Sequence, residues 1–156
     1  MTPDTPALQA LRAAGLAHEV LSHGPVGSLV EAADARGVEP ADVVKTLIVR
    51  RGDDDHLLVL VPGLRTISWP RLRALLGVSR LSMPDAAAAQ AATGYEHGTI
   101  TPFGTPRVLP VVADERVRGR RITLGAGAHG LAVALEADAA LAVLSATVAD
   151  ISDPEG

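Results

Sequence analysis

Apolar residues recur along this chain in two rhythms, one of period three to four and one of unbroken short runs. Leu8 and Leu11 lie on one face of a predicted helix over residues 7–14, stopped by Gly15, after a loose end at residues 2–6. Residues 18–21 read as a strand closed by His23-Gly24-Pro25. Ser28-Leu29-Val30-Glu31 has the form of a capping box, and the helix it opens should run to Arg36 and end at Gly37. Residues 43–49 and 57–61 predict two strands of a hairpin, with the charged stretch 50–55 as an exposed loop between them. Ser68-Trp69-Pro70 opens a helix carrying Leu72, Leu75 and Leu76 and ending at Gly77; Pro70 is tolerated in the first turn. Ser82-Met83-Pro84-Asp85 repeats the device before an alanine-rich helix that should end before Gly94. Strands are expected near 108–112, 121–124 and 131–134, and Pro110 suggests an edge or a bulge for the first. Asp138 is the expected cap of a last helix reaching Leu144, and 147–151 should return as a strand. Short strands mixed with short helices define an α+β class built on a mixed sheet. Without repeats or a low-complexity linker, residues 1–156 read as one domain.

Composition narrows the chemistry. The chain has 156 residues, 47% of them apolar but only 2% aromatic, so the core must be aliphatic. Absence of cysteine removes disulfides and protein thiolate chemistry. A net charge of −4 argues against a broad, salt-driven nucleic-acid interface, yet leaves room for a small contact at one end of an RNA. No run of 18 apolar residues and no basic-then-apolar leader is present, so no membrane association is expected and a cytoplasmic location is.

Gly94-Tyr95-Glu96-His97-Gly98-Thr99-Ile100-Thr101-Pro102-Phe103-Gly104 is the densest cluster of special backbone residues. Gly98 and Pro102 bracket Thr99, Ile100 and Thr101, whose amides could form a fixed array for an anion or a developing oxyanion. An ordinary turn between strands is the alternative. Lys45 shares a strand face with Val43, Leu47 and Val49. If that face is buried the ammonium needs a partner; otherwise it snorkels to solvent. The five histidines show no metal-ligand spacing, and neither a GxSxG elbow nor a GxxxxGK[ST] loop occurs. No metal and no cofactor are therefore expected. Arg116, Arg118, Arg120 and Arg121 form a basic cluster, either a solvated face or a contact for nucleic acid.

From Leu16 to Ile151 the chain resembles the YbaK family, free-standing relatives of the editing domain inserted in bacterial prolyl-tRNA synthetase. Four pieces carry the resemblance: Ser28 to Ala33 ahead of Val43-Val44-Lys45-Thr46-Leu47; Gly98-Thr99-Ile100-Thr101-Pro102, matching a GxxxP loop; Leu109-Pro110-Val111-Val112-Ala113-Asp114-Glu115; and Gly125-Ala126-Gly127-Ala128-His129-Gly130-Leu131. It implies a strongly curved mixed sheet with short flanking helices. It also implies a trans-editing hydrolase acting on the ester of a mischarged aminoacyl-tRNA, most simply one charged on tRNA-Pro. In that scheme Lys45, Gly98, Thr99, Ile100, Thr101 and Pro102 form the catalytic set, with Lys45 on the phosphate or ribose of the terminal adenosine. Val26, Leu29, Val30, Thr46, Phe103, Asp114, Gly127 and His129 shape the substrate site, Asp114 either orienting Lys45 or holding a loop. His129 leans toward alanine-like substrates; a cysteinyl-tRNA deacylase, a non-catalytic tRNA- or synthetase-binding module, and an enzyme for another small ester are the alternatives. The expected partners are the acceptor end of an aminoacyl-tRNA and prolyl-tRNA synthetase, with the protein a monomer or weak dimer.

Overall fold

The structure is a computed structural model and describes residues 3–155. In chain order the elements are α1 (Pro6–Ala13), β1 (Glu19–Ser22), α2 (Leu29–Arg36), β2 (Val44–Gly52), β3 (Asp55–Pro62), β4 (Arg65–Ile67), α3 (Trp69–Leu76), α4 (Ala86–Thr93), β5 (Val111–Asp114), β6 (Arg121–Gly125), β7 (Leu131–Glu136), α5 (Ala137–Val143), β8 (Thr147–Ala149) and β9 (Ser152–Pro154). Local sequence explains most boundaries. Ser28 accepts from the Glu31 amide at 3.1 Å and Gly37 closes α2. Ser68 and Gly77 bracket α3, and Asp85 and Gly94 bracket α4. The cap of α4 is Asp85; Ser82 instead bonds the backbone of Arg50.

Leu57–Val61 explains the centre of the molecule. All five side chains are buried, with Leu58 and Leu60 on one face and Leu57, Val59 and Val61 on the other. Full burial of each is worth about 1.5–3 kcal/mol, so this strand must be covered on both sides. The covering is a four-stranded mixed sheet ordered β2-β3-β5-β8, antiparallel between β2 and β3 and parallel thereafter. One face packs on the antiparallel sheet β1-β7-β6 and on α1, α4 and α5. The other face packs on Ile67, Leu72 and Ile151, beside the β4-β9 pair. This is the expected α+β class with a mixed sheet.

Several expectations change. The hairpin loop is short because β2 and β3 run on to Gly52 and Asp55, turning at Asp53-Asp54. Pro110 lies before β5, and β5 is an interior strand between β3 and β8; the proline carbonyl accepts from Leu58, and its missing N–H is not needed. Val108 is fully exposed and outside the strand. Asp138 does not cap α5; its carboxylate accepts from the Gly119 amide at 2.9 Å. Thr2 lies outside the described residues. The rest of the expected loose end is ordered by Thr5, which caps α1 and donates to the Ala126 carbonyl at 2.6 Å.

Candidate active site

Glu96-His97-Gly98-Thr99 is a tight turn in which the Thr99 amide donates to the Glu96 carbonyl at 3.0 Å. Gly98 occupies its third position with φ +86°, the geometry a type II turn reserves for glycine. The Thr99 hydroxyl also donates to the Glu96 carbonyl, at 2.8 Å. The Thr99 amide is thus engaged inside the turn. Among the described residues, no acceptor is found for the amides of Ile100 and Thr101. The array that sequence suggested over three residues narrows to these two.

Tyr95 fixes the loop from beneath. Its hydroxyl donates to the Phe103 carbonyl at 2.6 Å, and burial pushes its phenol up to about 12, so it stays a donor. The ring lies on Gly127, where a β-carbon would sit 2.6 Å from Tyr95 Cε1. Phe103, Thr101 and Pro102 are buried with it. Phe103 and Gly127 therefore support the loop from below and face neither cleft described next. Tyr95 was not singled out from sequence, although it is the chain's one tyrosine.

Two clefts open on either side of Gly98 and Gly125. One, of about 300 Å³, is lined by Leu29, Val43, Val44, Lys45, Thr46 and Ile100. The other, of about 530 Å³, is lined by residues 23–26, Gly130, Leu131 and His129. Arg36 belongs to the walls of both. The bridge between Val43 and Thr123 places the start of β2 beside β6 and so shapes the smaller cleft. At its side the Thr46 hydroxyl is buried without a hydrogen-bond partner among the described residues. His129 stands exposed at the rim of the larger cleft, with Nε2 3.4 Å from a Glu96 carboxylate oxygen.

The other expected site residues distribute unevenly. Val26 lines the larger cleft and Leu29 the smaller, while Val30 is 53% exposed and lines neither. Lys45 borders the smaller cleft, but strand alternation sends its tip to the opposite face of β2 from Thr46. There Nζ donates to the Arg65 carbonyl and lies 3.7 Å from a Glu155 carboxylate oxygen. The partner that a lysine on a buried face demands is thus supplied by β4 and the segment after β9. Asp114 is fully buried and does not touch Lys45. Its carboxylate accepts from the Ile151 amide, the Ser152 hydroxyl and the Arg116 amide and guanidinium. Burial pushes this carboxyl up, but those donors together outweigh it and hold the pKa below its ordinary value. It ties β5 to β9, the loop-holding alternative. The basic cluster is largely neutralised: Arg116 by Asp114 and Asp150, Arg120 by Asp42, Arg121 by Glu19 and Glu136. Among the described residues no group of His, Asp and Glu side chains is arranged to hold a metal ion. No described helix is long and apolar enough to cross a membrane.

A glycine turn thus stands between two small clefts on a mixed α+β fold. The chain belongs to the aminoacyl-tRNA editing domain family, whose model matches residues 23–142. It is 25% identical over 79% of its length to 76% of an Enterococcus faecalis protein named "Putative Cys-tRNA(Pro)/Cys-tRNA(Cys) deacylase EbsC". It is 35% identical over 63% of its length to a proline–tRNA ligase of Thermosipho melanesiensis, of which it spans only 17%. Among solved structures it matches one described as "a putative trans-editing enzyme for prolyl tRNA synthetase", with TM-score 0.87 and 25% identity over 97% of this chain and 99% of that one. A second match, hypothetical protein APE2540, has TM-score 0.87 and 25% identity over 96% of this chain and all of that one.

Proposed function

We propose that this protein edits in trans, hydrolysing the ester that joins a wrong, small amino acid to the terminal ribose of a tRNA, with alanyl-tRNA-Pro the preferred substrate. The observation that carries this reading is the Gly98 turn, which is followed by the unpartnered amides of Ile100 and Thr101 and sets Ile100 in the wall of a cleft of amino-acid size. Water adds to the ester carbonyl, and charge develops on the carbonyl oxygen. The amides of Ile100 and Thr101 receive that charge; one such donor is worth about 2.7–4 kcal/mol of barrier. Collapse expels the ribose oxygen, which takes up a proton. No side chain in the clefts stands out as a general base, and the tRNA's own vicinal hydroxyl activates the water in this scheme.

Lys45, once released from Glu155, anchors the ribose of the terminal nucleotide, and Thr46 borders the cleft beside it. Leu29 and Val26 bound the amino-acid space, and His129 closes its rim. Size discrimination alone yields about 1–3 kcal/mol per methylene, which suits rejection of larger residues. The acceptor end of the tRNA is the partner, and prolyl-tRNA synthetase is the source of the error. A cytoplasmic setting and a monomer or weak dimer accompany this reading. A second reading, cysteinyl-tRNA, is favoured by the name of the Enterococcus relative. Because this chain has no cysteine, any thiol would come from the substrate itself. Single-turnover deacylation of tRNA-Pro carrying alanine, cysteine, serine or proline decides between them. Fastest loss of alanine supports the first reading; fastest loss of cysteine replaces it with the second.

A further inference from the structure

Arg36 is the last residue of α2, where an arginine ordinarily serves the helix end from solvent. Here it is half-buried, in the wall shared by the two clefts. Its Nη1 donates to the Thr123 hydroxyl at 3.2 Å and its Nε to His23 Nε2 at 3.3 Å. His23 Nδ1 lies 2.8 Å from the Gly24 carbonyl, so Nδ1 carries the proton and Nε2 is free to accept. Both partners are therefore neutral. Neither cleft is lined by an Asp or Glu among the described residues, in a chain whose net charge is −4. Burial lowers the pKa of the guanidinium, and no carboxylate offsets that. Nη2 has no acceptor among the described hydrogen bonds. A desolvated cation held in place by neutral groups, with donors left over, is an anion site awaiting its anion.

We infer that Arg36 binds the 5′-phosphate of the substrate's terminal nucleotide, and so sets the direction in which the aminoacyl end enters. This rests on the deacylase reading. Of the groups at the end of an aminoacyl-tRNA, only the phosphodiester is anionic; the ester is neutral and the α-ammonium is repelled by a guanidinium. The phosphate therefore sits at Arg36, and the ammonium is driven away from it. Lys45, engaged by the Arg65 carbonyl and Glu155, is the less available cation. Thr46 borders the smaller cleft, with its orphan hydroxyl buried at the cleft's side.

The test measures binding and needs no hydrolysis. The probes are 3′-alanylamino-3′-deoxyadenosine, a hydrolysis-resistant amide, with and without a 5′-phosphate, titrated by calorimetry into wild type, Arg36→Gln and Arg36→Lys. Wild type should bind the phosphorylated probe about 10- to 100-fold tighter than the other. Arg36→Gln should bring that ratio close to one, and Arg36→Lys should keep part of it; thermal melts verify that both variants are folded. A ratio unchanged in Arg36→Gln, or no preference in wild type, overturns the assignment. Tighter wild-type binding of an aspartyl analogue than of either alanyl probe would move Arg36 to the amino-acid side chain and also overturn it. If the phosphate preference depends on Arg36 but charged tRNA is not hydrolysed, the inference stands and the deacylase reading fails. If tRNA is hydrolysed without such a preference, the reverse follows.

Discussion

Gly98→Ala perturbs the loop with the smallest possible side chain. The new β-carbon would lie 3.6 Å from His129 Cε1, an ordinary contact, so steric clash is not the issue. Backbone conformation is: φ is +86°, and a left-handed conformation costs an L-residue about 1–2 kcal/mol. The relief available is a change of the φ and ψ of residue 98 itself, which turns the chain that follows it. That rotation would carry the amides of Ile100 and Thr101 off their line. Misaligning one donor should slow the chemical step by about 100- to 1,000-fold, with much less effect on substrate affinity. Thr99→Ala is the control. It removes a buried hydroxyl bonded to Glu96, worth about 1 kcal/mol, but leaves the turn amide in place. For a domain of this length such a loss lowers the melting temperature by about 2–4 °C. Single-turnover deacylation with saturating enzyme, beside melts, separates the two effects. If Gly98→Ala stays folded and within threefold of wild type while Thr99→Ala is slow, the hydroxyl is the working group and the backbone-amide mechanism is wrong.

Five further outcomes are expected. Lys45→Ala should lose most activity while folded, whereas Glu155→Gln, by freeing the lysine from a half-exposed ion pair worth about 0–1 kcal/mol, should tighten tRNA binding by at most about fivefold; weaker binding on losing Glu155 would contradict the proposed exchange. Gly127→Ala forces a β-carbon into the Tyr95 ring and should destabilise by about 1–3 kcal/mol from overpacking alone, read as a lower melting temperature; an unchanged melt would show that the ring does not brace the loop. Asp114 has a folded pKa below its unfolded one, so its stabilisation is present above the unfolded value and is lost as pH falls through the folded one; wild type should lose stability in acid over that window, and Asp114→Asn should flatten this part of the profile. Activity should survive chelator, and loss restored by zinc would overturn the metal-free mechanism.

The elements that could be read from sequence are those whose causes are local. Ser28, Ser68, Gly37, Gly77 and Gly94 end their helices through bonds made within a few residues. The run Leu57–Val61 announces a strand buried on both faces. The four family motifs are legible for the same reason, each being a short contiguous run of residues. What sequence hid is tertiary. The strands β4 and β9 have three residues each and no alternation to detect; they exist because Asp114, Arg65 and Arg71 all hold Ser152. Pro110 misled because the rule concerns a missing donor, and here only the carbonyl enters the ladder. Alternation along β2 left Lys45 either in need of a partner or snorkelling to solvent, and in the fold its partners come from residues 65 and 155. Arg36 looks like a solvated helix end until the fold places Thr123 beside it.

The most direct measurement is the single-turnover rate at which this protein deacylates alanyl-tRNA-Pro, set against correctly charged prolyl-tRNA-Pro and against spontaneous hydrolysis. The account expects alanine to be released at least about 100-fold faster than without protein, as one aligned amide donor alone would give, with the prolyl ester left near its spontaneous rate. Equal rates for both esters, or no acceleration of either, would contradict it.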